Sequence, residues 1–64
     1  MTWEYRVMSR NGELAIYEVY YYEDGSVQGY GEAVAYPAGE TLADLRVNCD
    51  LYIAALEKPI LKYT

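Results

Sequence analysis

The segment Arg10–Ser26, "RNGELAIYEVYYYEDGS", decides the fold because it places a turn signal on each side of one strand-forming run. Asn11-Gly12 is the pair most typical of a two-residue type I′ hairpin turn, and Asp24-Gly25 indicates a second hairpin. The valine, isoleucine and tyrosines between the two turns favour a pleated strand. We therefore predict a three-stranded antiparallel meander with strands at Thr2–Arg10, Glu13–Glu23 and Ser26–Tyr36.

The first turn also predicts the register of the first hairpin. With two residues in the loop, Arg10 faces Glu13, Val7 faces Ile16 and Trp3 faces Tyr20. One face of the hairpin is then more apolar than the other, although Glu18 lies on it. That face carries Trp3, Tyr5, Val7, Leu14, Ile16 and Tyr20. The second turn leaves two alternatives open, a two-residue loop or a three-residue loop with Gly25 in a bulge. A slip of one residue between them exchanges the faces.

The segment "GETLADLRVNCDLYIAALEKP" (residues 39–59) predicts one helix over Leu42–Glu57. Thr41 followed by Asp44 approximates a capping box, and Pro59 ends the helix. One apolar stripe with helical spacing would face the sheet, namely Leu42, Leu45, Cys49, Tyr52 and Leu56. The predicted fold is α+β in the order β-β-β-α, a single domain over residues 1–64 with the helix packed on one face. The tail "ILKYT" would fold back as an apolar lid.

Composition narrows the function classes. Ten acidic against five basic residues give a net charge of −5, which disfavours a nucleic-acid partner. Cys49 is the only cysteine, so no internal disulfide forms, which suits a reducing compartment. No apolar run predicts a leader or a membrane span, so we expect a cytoplasmic protein. A 64-residue domain buries only about 60% of its unfolded surface, and pairing with a second copy would bury more.

The residue types that enzymes use are scarce. The chain has no histidine, which removes the commonest general base and the commonest metal ligand. Ser9 and Ser26 lie beside turns without a base, and Glu23-Asp24 has the sequence of a solvated loop tip. We therefore predict no enzymatic activity, no cofactor and no metal.

The tyrosines carry the functional prediction. There are nine of them and no phenylalanine. One helix covers one face of a sheet, so some rings are expected on the other face, at an interface with a partner. The candidates are Tyr17, Tyr20, Tyr21, Tyr22 and Tyr30. The alternative is that tyrosine is merely a good strand residue, with cross-strand pairs worth about 0.2–1 kcal/mol each.

These observations favour a small protein-interaction module, homodimeric through the tyrosine-rich sheet face or bound to another protein. A second hypothesis is an acidic inhibitor or antitoxin-like protein that masks a nucleic-acid enzyme by imitating phosphate charge. A third, ranked last, uses exposed rings as stacking platforms for a small molecule or a nucleic acid, but only five basic residues would support it.

Nearly the whole chain resembles a group of short bacterial and cyanobacterial proteins of unassigned function. That group shares an "EVYYxEDG" hairpin, a "GETLxxL" helix start and an "ALEKPxL" ending. Tyr22 stands where the group is expected to carry an acid. The matching positions here are Glu18–Tyr21, Glu23–Gly25, Gly39–Leu42, Leu45, Ala55–Pro59 and Leu61.

The strands followed by "GETLADLRVNCDLYIAAL" are also similar to the N-terminal fold of HicB-type antitoxins, a partial double-stranded-RNA-binding fold. That similarity implies a protein that neutralises a toxin by masking it. Such antitoxins usually add a DNA-binding region, and this sequence carries none, so autoregulation through DNA is not expected.

Overall fold

The computed structural model describes residues 2–63 and has an α+β fold. In chain order its elements are β1 (Thr2–Arg10), β2 (Glu13–Tyr21), β3 (Val27–Tyr30), α1 (Leu42–Leu56) and β4 (Leu61–Lys62). The three antiparallel strands and the helix agree with the prediction. Strand β4 was not predicted: it pairs in parallel with β1 at Met8 and Ser9, so the sheet is mixed, with the order β3-β2-β1-β4.

The first hairpin forms as the Asn-Gly pair predicts. Asn11 has φ 53° and Gly12 has φ 80°, so both take the left-handed conformation that a type I′ turn requires. The register pairs Arg10 with Glu13 and Trp3 with Tyr20, which confirms the prediction.

The second hairpin adopts the three-residue alternative. The Tyr22 N–H donates to the Ser26 carbonyl at 2.9 Å, and the Gly25 N–H donates to the Tyr22 carbonyl at 3.0 Å. Gly25 has φ 88°, as expected for the bulge position. Asp24 closes the loop by accepting from the Ser26 N–H at 2.9 Å and from its hydroxyl at 2.6 Å. Strand β2 therefore ends at Tyr21 rather than at Glu23, and the β2–β3 register shifts between Tyr20 and Tyr21.

Strand β3 is shorter than predicted. It covers Val27–Tyr30 instead of Ser26–Tyr36. Pairing with β2 continues at two points, where Gly31 N–H donates to the Glu18 carbonyl and Ala35 N–H donates to the Ile16 carbonyl, at 2.9 and 2.8 Å. The two donors are four positions apart in sequence but their acceptors are only two apart, so residues 32–34 bulge out of the ladder and end the regular strand.

The sheet curls around the face opposite the helix, and the most buried side chains lie inside this curl. Met8, Tyr17 and Val19 are 1%, 3% and 0% exposed. The C-terminal segment closes the curl, since the Tyr63 ring centroid lies 5.0 Å from that of Tyr17 and 4.6 Å from that of Tyr30. The tail therefore covers apolar side chains as predicted.

Helix α1 covers the other face, packing mainly along β1. Thr41 caps it, accepting from the Asp44 N–H at 3.1 Å. The ring of Tyr52 lies 4.4 Å from that of Tyr5. The predicted stripe is correct in its middle, but Leu42 and Leu56 at its ends are 71% and 65% exposed. The sheet therefore covers only the middle of the helix, where α1 packs against β1.

Candidate functional site

The five tyrosines predicted to form an interface lie in different surroundings. Tyr17 is buried, Tyr20, Tyr21 and Tyr30 are half-buried, and Tyr22 is 53% exposed. The face opposite the helix was predicted to be uncovered, but the curled sheet and Tyr63 close it. Most of these rings therefore contribute to the core of a single chain, and only Tyr22 still has the exposure expected of an interface residue.

A polar cluster around Glu4 fastens the C-terminal segment to β1. The Glu4 carboxylate accepts from the Tyr21 hydroxyl at 2.7 Å and pairs with the Lys58 ammonium. Arg6 donates to the Tyr21 oxygen at 3.1 Å and to the Pro59 carbonyl at 2.7 Å. The Lys58 hydrogen bond, opposed by burial, lowers the pKa of Glu4, whereas burial and the bond to Glu4 raise the pKa of Tyr21. These groups hold the segment after α1 in place, so that β4 can pair with β1.

Acidification should weaken this cluster. The pKa of Glu4 is lower in the folded chain than in the unfolded one, so the ionised carboxylate stabilises the fold. This stabilisation is complete above the unfolded pKa and is lost as the pH falls through the lower, folded pKa. We expect the melting temperature of the wild type to exceed that of Glu4→Gln at pH 7, and the difference to shrink between about pH 5 and pH 3. Thermal unfolding followed by circular dichroism measures this.

The control for that experiment is Glu23→Gln, on the exposed second turn. Its melting temperature should match that of the wild type at neutral pH. A Glu4→Gln melting difference that stays constant from pH 7 to pH 3 would contradict the assignment of the stabilisation to the Glu4 carboxylate.

The outer side of α1 presents an apolar surface, which we call the helix flank and define as Val47, Leu51 and Ala54 of α1 together with Trp3 of β1. Val47 is 63% exposed, Leu51 47% and Trp3 51%. A groove of ≈ 390 Å³ runs between the helix and β1, and Trp3, Leu51 and Ala54 line it. A helix that is apolar on more than its buried side usually lies against further protein, so the helix flank is the main candidate contact surface.

The helix flank ends in opposite charges. Asp44 lies in the first turn of α1, and Lys58, just after its last turn, lines the same groove as Leu51. The helical positions 44, 47, 51 and 54 are separated by three or four residues, which places them on one side of α1. The sequence already contained this signal. The predicted stripe begins at Leu42, and this second stripe with similar spacing was not predicted.

Within residues 2–63, no three acidic or cysteine side chains come together closely enough to hold a metal ion. Over the same residues, no helix is both long enough and apolar enough to cross a membrane. Comparisons of the chain with protein-family models, with curated proteins and with solved structures find no match. The evidence for the candidate site is therefore its geometry alone.

Proposed function

We propose that this chain is a small protein-interaction module that pairs with a second copy of itself through the helix flank. The observation that carries the proposal is the exposed stripe centred on Leu51, with apolar side chains in its middle and an acid and a base at its ends. The predicted homodimer is retained, but its contact surface moves from the tyrosine face to the helix, because Tyr17 and its neighbours are occupied in the core.

The balance of buried and exposed apolar side chains supports association with a partner. In the part of the chain that the structure describes, six hydrophobic residues are buried, whereas twelve large ones are exposed. A domain of this length gains little from its own core, so further burial on association would stabilise it. Apolar side chains that lie next to one another on a surface usually mark a contact region.

The charges favour a second copy over an unrelated protein. Asp44 and Lys58 each lie seven residues from Leu51, on opposite sides of it. If two α1 helices pack antiparallel about a twofold axis at Leu51, Asp44 meets the partner's Lys58 at both ends of the interface. Such a surface is complementary to itself, as a twofold interface requires. An ammonium has three donors, so Lys58 can keep Glu4 while it meets the partner's Asp44.

A stable interface buries about 800 Å² on each partner, which is roughly a sixth of the 4760 Å² that the described chain exposes. Residues beside α1 must therefore contribute to the contact. Helix α1 has 15 residues, which corresponds to about 22 Å of contact length. Trp3 widens the apolar surface at its middle and supplies an aromatic anchor of the kind that dominates binding energy at interfaces.

The test is the oligomeric state of Leu51→Asp. Size-exclusion chromatography with light scattering should give a wild-type mass of about twice 7.3 kDa at micromolar concentration. Leu51→Asp places two carboxylates on the twofold axis, and we expect it to raise the dimer dissociation constant at least about a hundredfold. The matched control is Ile53→Asp, another exposed apolar position on the opposite flank of α1, which should leave the dimer intact.

A wild type that stays at 7.3 kDa at every concentration would refute the dimer. If Ile53→Asp dissociates the dimer and Leu51→Asp does not, the chain pairs through another surface. Circular dichroism of each variant establishes that a change in mass does not come from unfolding.

A further inference from the structure

A second cavity lies on the helix side of the sheet, away from the helix flank. Its volume is ≈ 340 Å³, and it is bounded by β1, β2, α1 and the segment 33–38 that follows β3. Three tyrosine rings line it, Tyr5, Tyr36 and Tyr52, and the carboxylate of Glu18 lies among them. Tyr5 and Tyr52 pack against each other at 4.4 Å, and the remaining wall is formed by small side chains of the segment 33–38.

The Glu18 carboxylate is unusual in its surroundings. It is half-buried on the more apolar face of the sheet, opposite Tyr5 in the register. The Tyr20 hydroxyl donates to it at 2.8 Å, but no lysine or arginine nitrogen among residues 2–63 lies within 4.0 Å of it. A half-buried carboxylate has lost part of its hydration, and here it has only a neutral donor in exchange.

The charge of Glu18 reaches the rings around it. The hydrogen bond to Glu18 raises the pKa of Tyr20, and this is the largest cause of the shift. Burial, followed by a hydrogen bond with Tyr5, raises the pKa of Tyr52 to about 12, and the field of Glu18 adds to that shift. Among residues 2–63, Glu18 is therefore the one charged group that lines the cavity, and its negative charge acts on the phenols around it.

We propose that this cavity binds a methylated ammonium group, with the cation seated among the rings of Tyr5, Tyr36 and Tyr52 and next to Glu18. Aromatic faces attract a cation without requiring it to donate hydrogen bonds. A primary ammonium is strongly hydrated and carries three donors, whereas much of this lining consists of aromatic rings and of alanine and valine side chains, with Glu18 as the one charged group that the described part of the chain contributes. An N-methylated cation, which is weakly hydrated and has few or no donors, fits that lining better.

The cation can reach the cavity on two kinds of molecule, a free small cation or a methylated lysine side chain of a peptide. Tyr36 is 76% exposed, so a ligand can pass beside it. Neither source requires Val47 or Leu51. The proposal is therefore independent of the dimer, and failure of the dimer test leaves this one intact.

The experiment titrates the full chain with choline chloride at constant ionic strength and follows backbone amide shifts by NMR. A parallel titration uses 3,3-dimethylbutan-1-ol, which has the shape of choline without the charge. We expect saturable choline binding in the millimolar range and binding of the alcohol at least about tenfold weaker. A trimethyllysine peptide forms the third arm. If the peptide binds more tightly than choline, the ligand is a methylated lysine side chain. If the two bind equally, the ligand is a free small cation.

Two variants and one control complete the design. Glu18→Gln keeps an acceptor for Tyr20 but removes the charge, and it should weaken choline binding about tenfold or more. Tyr36→Ala removes the exposed ring and should weaken binding several-fold, whereas Tyr22→Ala, on the second turn, should bind as the wild type does. If Glu18→Gln does not fold, Tyr36→Ala decides the question. The proposal would be overturned if the shifts do not saturate with either cation, or if choline and the alcohol bind with equal affinity. It would also be overturned if Glu18→Gln, or Tyr36→Ala where Glu18→Gln does not fold, binds choline as the wild type does.

Discussion

Replacing Tyr17 by alanine is expected to lower the free energy of unfolding by about 3–5 kcal/mol, the usual cost of deleting a buried aromatic ring. Tyr17 is 3% exposed and contacts Tyr63 across the curled sheet. A domain of 64 residues has a stability of roughly 3–10 kcal/mol at about 0.05–0.15 kcal/mol per residue. The variant should therefore lose at least about a third of its stability, and urea unfolding followed by circular dichroism measures the loss.

The matched control is Tyr22→Ala, only five positions after Tyr17 but with a ring that is 53% exposed. It should change the free energy of unfolding by less than about 0.5 kcal/mol. If Tyr17→Ala instead keeps its stability and loses an oligomer, the tyrosine face is the interface that the sequence first indicated. Tyr17→Phe separates the contribution of the ring from that of the hydroxyl.

Local chemistry explains what the sequence could predict. Asn11-Gly12 determines both the turn and the register of β1 and β2, because a two-residue loop allows only one pairing. Thr41 determines where α1 begins, since its side chain satisfies an N–H that the helix leaves free. In both cases the residues that decide the structure are neighbours in sequence.

The closure of the sheet depended on contacts between distant residues. Tyr63 lies against Tyr17 and Tyr30, far along the chain, and β4 pairs with β1 over only two residues. The prediction that the inner rings lie on an open surface holds only for a flat sheet. Strands twist, and a twisted sheet of short strands can curl until its two edges share one core. The pattern of the residues alone does not contain that curvature.

The same reasoning applies to the two candidate sites. The helix flank follows a spacing that is visible in the sequence, so a second search for helical stripes would have found Val47 and Leu51. The cavity at Glu18 could not be found in this way, because its rings come from β1, α1 and the segment 33–38. Glu18 was noted only as an exception on the apolar face, and its position there is what makes it available to a cation.

Replacing Gly39 by alanine is expected to cost about 1–3 kcal/mol, as overpacking does in a close contact. A Cβ at this position would lie 2.5 Å from the Leu45 nitrogen and 2.9 Å from the Asp44 carbonyl carbon. These atoms belong to the backbone of α1 and cannot move aside as a flexible side chain would. Gly39 begins the "GETLxxL" pattern of the sequence, and in the structure it lies where the segment before α1 approaches the helix closely.

The variant should therefore push the segment 33–38 away from α1, which would also disturb the hydrogen bond from the Ala38 N–H to Asn48. Urea unfolding measures the stability, and the matched control is Gly29→Ala, where no atom lies within 4 Å of the added Cβ. Because that segment forms one wall of the cavity at Glu18, folded Gly39→Ala should also bind choline more weakly than Gly29→Ala does. A Gly39→Ala chain as stable as the wild type would mean that this segment does not pack against α1, and the cavity would then lack its outer wall.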